Sequence, residues 1–236
     1  MATYVLVHGA WHGGWCYRHV ARQLRNAGHE VFTPTLTGLG ERAHLAHVAI
    51  GLAIHIEDIV AVIDCEELAD VILVGHSYGG MVVTGVADRR PDKIRSLVYL
   101  DAFLPEHGKA LWDYISEAEK AFFLAGAAAL GGTRMAPIPA EAFACTDPAW
   151  ANRRNVPHPI GTFLEAVKLE HGVFPGPKTY IFAEGWGREG PILTPFRQFY
   201  DRVKDDAAWG VHSVSAGHDA MIDDPDGLAK LFLTLA

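Results

Sequence analysis

One short segment constrains the fold more than any other: Gly75-His76-Ser77-Tyr78-Gly79-Gly80 lies between an unbroken apolar run, Val71–Val74, and a helix-like stretch opening at Met81. Joining a strand to a helix through so few residues requires a sharp turn whose central residue, Ser77, is forced into a strained backbone conformation. Glycines two positions to either side let strand and helix pass closely, because a Cβ there would collide. The turn lifts the Ser77 hydroxyl to the carboxyl end of a strand and to the start of a helix, whose dipole favours developing negative charge. A hydroxyl presented in this way is a candidate nucleophile if a base can take its proton.

The rest of the chain alternates in the same sense. Apolar runs predict strands at Tyr4–Val7, Glu30–Thr33, Val71–Val74, Ser96–Leu100, Thr179–Ala183 and Val211–Val214. Helical periodicity predicts helices at Trp15–Ala27, stopped by Gly28, at His55–Glu66, from Met81 to Ala87, around Phe196–Val203 and at Asp226–Leu235. Continuous apolar strands alternating with helices imply an α/β fold: a mostly parallel sheet with helices on both faces. Functional residues of such sheets gather at the carboxyl ends of the strands. Residues 103–177 break the alternation with scattered aromatics and with prolines at 137, 139, 148, 157 and 159, and predict a small helical cap inserted into a single domain spanning 1–236.

Topology also selects a base and an oxyanion site. His218, in Ser215-Ala216-Gly217-His218-Asp219, is the histidine that directly follows the last strand. An oxyanion needs two fixed N–H donors. The backbone of Tyr78, next to the nucleophile, offers one, and Ala10, in the glycine-rich loop after the first strand, is the candidate for the other.

These residues resemble one branch of the α/β-hydrolase superfamily, that of plant hydroxynitrile lyases, plant methylesterases and their bacterial esterase relatives. The likeness rests on His8-Gly9-Ala10-Trp11-His12-Gly13-Gly14-Trp15, on the segment around Ser77, and on Gly217-His218-Asp219. With Leu97-Val98-Tyr99-Leu100-Asp101-Ala102-Phe103 added, the chain looks especially like bacterial carbendazim-hydrolysing esterases. The resemblance implies an α/β-hydrolase fold and hydrolysis of a carboxylic or carbamate ester through an acyl-enzyme, without metal or organic cofactor. The lyases of this branch carry threonine where this chain has Gly9 and lysine where it has Asp219, which favours hydrolysis. A non-catalytic hormone-receptor role on the same fold is an alternative, set against it by the presence of both Ser77 and His218.

The triad acid stays open. Plant relatives place an aspartate at the position that aligns with Trp186, and an indole cannot replace a carboxylate. Asp101, at the end of the fourth strand, and Glu184, at the end of the fifth, are the main candidates, with Asp219 and Asp223 behind them. Trp11, Tyr78, Phe103 and Trp112 predict an aromatic pocket for a small substrate, and His12 is a candidate polar group at its mouth.

Composition narrows the partners. A formal charge of −8 argues against nucleic acid, which needs clustered Lys and Arg. No apolar stretch is long enough to span a membrane, no secretory leader opens the sequence, and three irregularly spaced cysteines predict reduced thiols in a cytoplasmic protein.

Overall fold

The computed structural model describes residues 1–46, 49–187 and 195–236. Strand β1 (Thr3–Val7) leads through a 3-10 turn, Gly14–Tyr17, into α1 (Arg18–Asn26). Next come β2 (Glu30–Phe32) and α2 (Leu52–Cys65), β3 (Val71–His76) and α3 (Gly79–Arg89), and then β4 (Ile94–Leu100). Between β4 and the next strand of the sheet lie α4 (Glu117–Ala128), β5 (Arg134–Met135), α5 (Pro148–Asn152), β6 (His158–Pro159) and α6 (Gly161–Leu164). The alternation resumes with β7 (Lys178–Ala183), α7 (Phe196–Val203) and β8 (Trp209–Val214), followed by α8 (Ala220–Asp223) and α9 (Pro225–Leu233).

The main sheet has the order β2-β1-β3-β4-β7-β8, with each neighbouring pair parallel. From β1 the chain steps to β2 on one side and to β3 on the other, so a topological switch point opens at the carboxyl ends of β1 and β3. Ala10 and Ser77 follow those two strands directly.

Strand side chains alternate between two apolar layers. Val5, Val7, Val71, Leu73, Leu97 and Tyr99 face Ile56, Ile59 and Ile63 of α2 together with Met81, Val82 and Val86 of α3. Tyr4, Leu6, Ile72, Val74, Val98 and Leu100 face Val20 and Leu24 of α1 together with Leu228 and Phe232 of α9. Burial on both faces explains why these strands read as unbroken apolar runs. Tyr4 is an exception in polarity only: its hydroxyl donates to the Phe232 carbonyl at 2.8 Å, tying the first strand to the last helix.

The structure differs from the expected elements in detail. The first helix starts at Arg18, because Gly14–Tyr17 winds as a 3-10 turn, and α2 begins three residues before His55, at Leu52. The interval between β4 and β7 contains an antiparallel pair, β5 with β6, that its prolines and glycines did not suggest. Cys16, Cys65 and Cys145 are free thiols. Among the described residues no helix is long and apolar enough to cross a membrane, and no cluster of His, Cys, Asp and Glu could hold a metal ion.

Candidate active site

Ser77 has φ +53°, the left-handed conformation that the turn requires. Its backbone is held from both sides: Ser77 N–H donates to the Leu100 carbonyl at 3.2 Å, and Phe103 N–H donates to the Ser77 carbonyl at 3.1 Å. The glycines are needed for space. A Cβ on Gly75 would stand 2.6 Å from the Gly79 carbonyl oxygen, and one on Gly80 would stand 2.0 Å from that of Phe103.

The same clamp fixes a carboxylate. Asp101 lies between Leu100 and Phe103, fully buried, with φ +40°. Its backbone N–H donates to Ile181 at 2.7 Å, and its Oδ2 accepts from His218 Nδ1 at 2.8 Å. Two further donors face this carboxylate: Trp186 Nε1 reaches Oδ2 at 3.1 Å and the Ala183 N–H reaches Oδ1 at 3.4 Å. With Nδ1–H committed to Asp101, Nε2 of His218 is the free base. The imidazole is buried among Phe196, stacked at 5.0 Å between centroids, and Phe143 and Trp186, each at 5.1 Å.

Several expected residues fall elsewhere. Glu184 is exposed, and its N–H pairs with the Val214 carbonyl, so it stands outside the site that Asp101 occupies. Asp223 accepts from the Thr146 N–H and hydroxyl, and Asp219 faces His12. Trp112 is half-buried and packs on the core, while its neighbour Leu111 reaches the cavity. His12 is buried rather than at the pocket mouth, because it pairs with Asp219.

Ser77 and His218 line one narrow cavity with Ala10, Trp11, Tyr78 and Phe103. Leu111, Ile115, Phe123, Ile138, Phe143 and Phe163, from the segment between β4 and β7, make its walls apolar, and Glu119 is the exception. The backbone N–H groups of Ala10 and Tyr78 enter no turn hydrogen bond among the described residues. They are available to an oxyanion.

A set of buried histidines, which the sequence did not reveal as such, holds these donors in place. His12 Nδ1–H donates to the Ala10 carbonyl at 2.7 Å. His158, on β6, accepts the Trp11 N–H on Nδ1 at 3.2 Å and donates from Nε2 to Thr162 Oγ1 at 2.7 Å. Val156 N–H meets the Trp11 carbonyl at 3.0 Å, so residues 156 and 158 grip both sides of Trp11, whose φ is +64°. His55 donates from Nε2 to the Thr37 carbonyl and accepts the Tyr78 hydroxyl on Nδ1, both at 2.9 Å. His76 Nε2–H donates to the His218 carbonyl at 2.9 Å and leaves Nδ1 unpaired.

Desolvation sets the charge of this set. Burial lowers His8 to about 3 and His55 to about 4, and it holds His76 and His158 well below the usual histidine value, so all four are neutral near pH 7. His12 goes the other way. Burial opposes its charge, but Asp219 at 3.4 Å overrides this and raises the imidazole, while His12 in turn holds Asp219 below the carboxylate range against its own burial. Signals for these roles were weak in the sequence, since His158 lies 147 positions from the Trp11 that it holds.

The sequence model of the Alpha/beta hydrolase family matches residues 4–231, and the chain belongs to that family. The carbendazim hydrolyzing esterase of Nocardioides sp. (strain SG-4G) is 49% identical, with 100% of both chains covered. Methylesterase 10 of Arabidopsis thaliana is 33% identical over 44% of this chain and 38% of its own. Among solved structures, an extracellular alpha/beta-hydrolase from a Paenibacillus species superposes with a TM-score of 0.84 at 24% identity, covering 99% of this chain and 98% of that one.

Proposed function

We propose that the chain is a serine hydrolase that cleaves carboxylic or carbamate esters of small, aromatic substrates through an acyl-enzyme. The observation that carries this is the 2.8 Å pairing of His218 Nδ1 with Asp101 beside a serine on a strained turn. His218 Nε2 takes the Ser77 proton as Oγ attacks the carbonyl. The N–H groups of Ala10 and Tyr78 receive the oxyanion, and Asp101 stabilises the imidazolium. His218 then protonates the departing alcohol, and water, activated by the same base, releases the acyl group. The full-length likeness to a carbendazim hydrolyzing esterase supports including carbamates. We place this activity on a small dissolved substrate in the cytoplasm.

Lyase chemistry is disfavoured by space rather than by charge. Asp219 turns to His12 and does not line the cavity, so it does not face a leaving group. Gly9, however, has no room for a threonine: a Cβ there would meet His76 Nδ1 at 2.8 Å and Ser77 Cβ at 2.9 Å. The deciding experiment is hydrolysis of p-nitrophenyl acetate and of a methyl carbamate by the native chain and by Ser77→Ala. Turnover of both by the native chain, lost in the variant, is the expected result. Tight binding of aromatic esters without turnover would instead favour a receptor.

A further inference from the structure

Ring contacts fix the protonation of the buried histidines, and His12 stands apart among them. His8 Nδ1 meets the Gly9 carbonyl while its Nε2 accepts the Leu36 N–H. His158 accepts the Trp11 N–H and meets a hydroxyl on its other side, and His55 lies between the Thr37 carbonyl and the Tyr78 hydroxyl. Each of these is satisfied by one ring proton, as a neutral imidazole. His12 meets two acceptors: the Ala10 carbonyl lies 2.7 Å from Nδ1, and Asp219 Oδ1 lies 3.4 Å from Nε2. A neutral ring would turn a lone pair towards one of them, so both nitrogens carry protons. Burial disfavours both charges, yet Asp219 raises His12 and His12 holds Asp219 below the usual carboxylate range. The pair also spans a gap that the sheet leaves open. Ala10 follows β1 and Asp219 follows β8, and β3, β4 and β7 lie between these two strands.

We propose that His12 and Asp219 are positioning residues, an ion pair that braces the loop presenting the Ala10 N–H against the loop presenting His218, and that turnover requires His12 as an imidazolium. This rests on the hydrolase reading above. Both residues are buried and neither lines the cavity of Ser77, so they act through Ala10 and His218. The relative placement of those two decides whether oxyanion and base are served in one geometry. The titratable groups around the pair are His8 on the same loop, His76 at the end of β3, His158 on β6, Cys16 and Tyr17 on the 3-10 turn, Cys145 between β4 and β7, and His218 and Asp223 beyond β8. Burial keeps the first three neutral and pushes the two thiols and the phenol up, so none of these six is charged near pH 7. Asp223 is turned to Thr146. Because Asp219 raises His12, the brace is whole at neutral pH and fails as the pH climbs through the raised value. Above it the Nε2 lone pair faces a carboxylate, and the ring can no longer hold the Ala10 carbonyl in the same place.

The test compares Asp219→Ala with Asp219→Asn in the full chain, on methyl benzoate, a substrate without an ionisable group. Alanine removes the brace. Asparagine keeps the shape and offers its amide N–H₂ to the Nε2 of a neutral His12, so the brace survives without its charge. The expected result is a kcat lower by about tenfold or more in Asp219→Ala at little changed KM, with most of the loss recovered in Asp219→Asn. Nitrogen-15 NMR of the native chain with labelled histidine reads the His12 ring directly, and at pH 7 it should show protons on both nitrogens. As the pH rises, native kcat should fall along the curve on which His12 loses its proton, and Asp219→Asn should lack that alkaline limb. A neutral His12 at pH 7, a kcat flat through the His12 ionisation, a native kcat in Asp219→Ala, or equal losses in the two variants overturns the proposal. The NMR reading needs neither turnover nor a substitution. An inactive native chain that carries an imidazolium at His12 therefore counts against the hydrolase reading alone.

Discussion

Trp186 Nε1 and His218 Nδ1 donate to the same oxygen of Asp101, at 3.1 Å and 2.8 Å. The indole thus shares the carboxylate that it was expected to leave missing. It also packs against the imidazole at 5.1 Å between centroids, so one side chain both anchors the acid and walls the base. Trp186→Phe keeps the wall and removes the donor. One donor fewer leaves the Asp101 carboxylate less firmly aimed at His218 Nδ1. We expect kcat to fall about tenfold with KM little changed. A native kcat in this variant would show the tryptophan to be packing alone.

Asp101→Asn preserves volume and offers an N–H where His218 needs an acceptor. The imidazole then loses the tautomer that leaves Nε2 free, and kcat falls by about 10³–10⁴. Glu184→Gln, altering an exposed side chain, leaves kcat near the native value. Comparable losses in the two variants would remove Asp101 from the triad.

Gly9→Thr forces a side chain against the His76 ring and the Ser77 Cβ, both under 3.0 Å from its Cβ. Neither neighbour can retreat, because His76 is buried and tethered to His218, and Ser77 is clamped by Leu100 and Phe103. Overpacking of this kind costs about 1–3 kcal/mol. Thermal unfolding should show a lowered Tm together with lost esterase activity. A variant with native Tm and activity would mean that the loop yields freely.

Acid stability follows from the buried neutral histidines. His8 and His55 have folded values of about 3 and 4, below the 6.5 of an unfolded chain, and His76 and His158 are displaced the same way. The unfolded state therefore binds more protons below pH 6.5, and stability is lost as the pH falls from there towards the folded values. Each such group contributes a slope of up to about 1.4 kcal/mol per pH unit. The His12–Asp219 pair adds its own window. Asp219 contributes fully above its usual carboxylate value and His12 contributes fully below 6.5, its share fading as pH rises through its raised folded value. Denaturant midpoints between pH 7 and pH 4 should drop steeply, and less so in His158→Gln. A flat profile would mean that these rings are protonated in the fold.

What could be read in advance was what the chain writes locally. The glycines around Ser77 mark a turn that permits one kind of strand-to-helix passage, and Gly217-His218 directly follows a strand, so both positions are legible without coordinates. The sheet itself was legible for the same reason, because strands covered on both faces must be continuously apolar. The acid was not, since Asp101 and Glu184 both end strands and only the direction of the imidazole separates them. The cavity was harder still. Trp112 and Leu111 are neighbours on one short turn, and which of them lines the cavity depends on how the segment between β4 and β7 packs. The histidines at 55, 76 and 158 look like any polar residue until long-range packing encloses them.

The two hydrogen bonds that grip Trp11 from residues 156 and 158 bear on any attempt to exchange the cap. Substrate range could be reprogrammed by grafting a foreign segment between the ends of β4 and β7, since that segment supplies most of the cavity wall while the sheet keeps the nucleophile and base. A graft without an acceptor at the place of His158 would strand the Trp11 N–H, and the loop presenting Ala10 would lose its register. Chimaeras in this scaffold must therefore carry the β6 segment with the host, and the transplantable part ends before it.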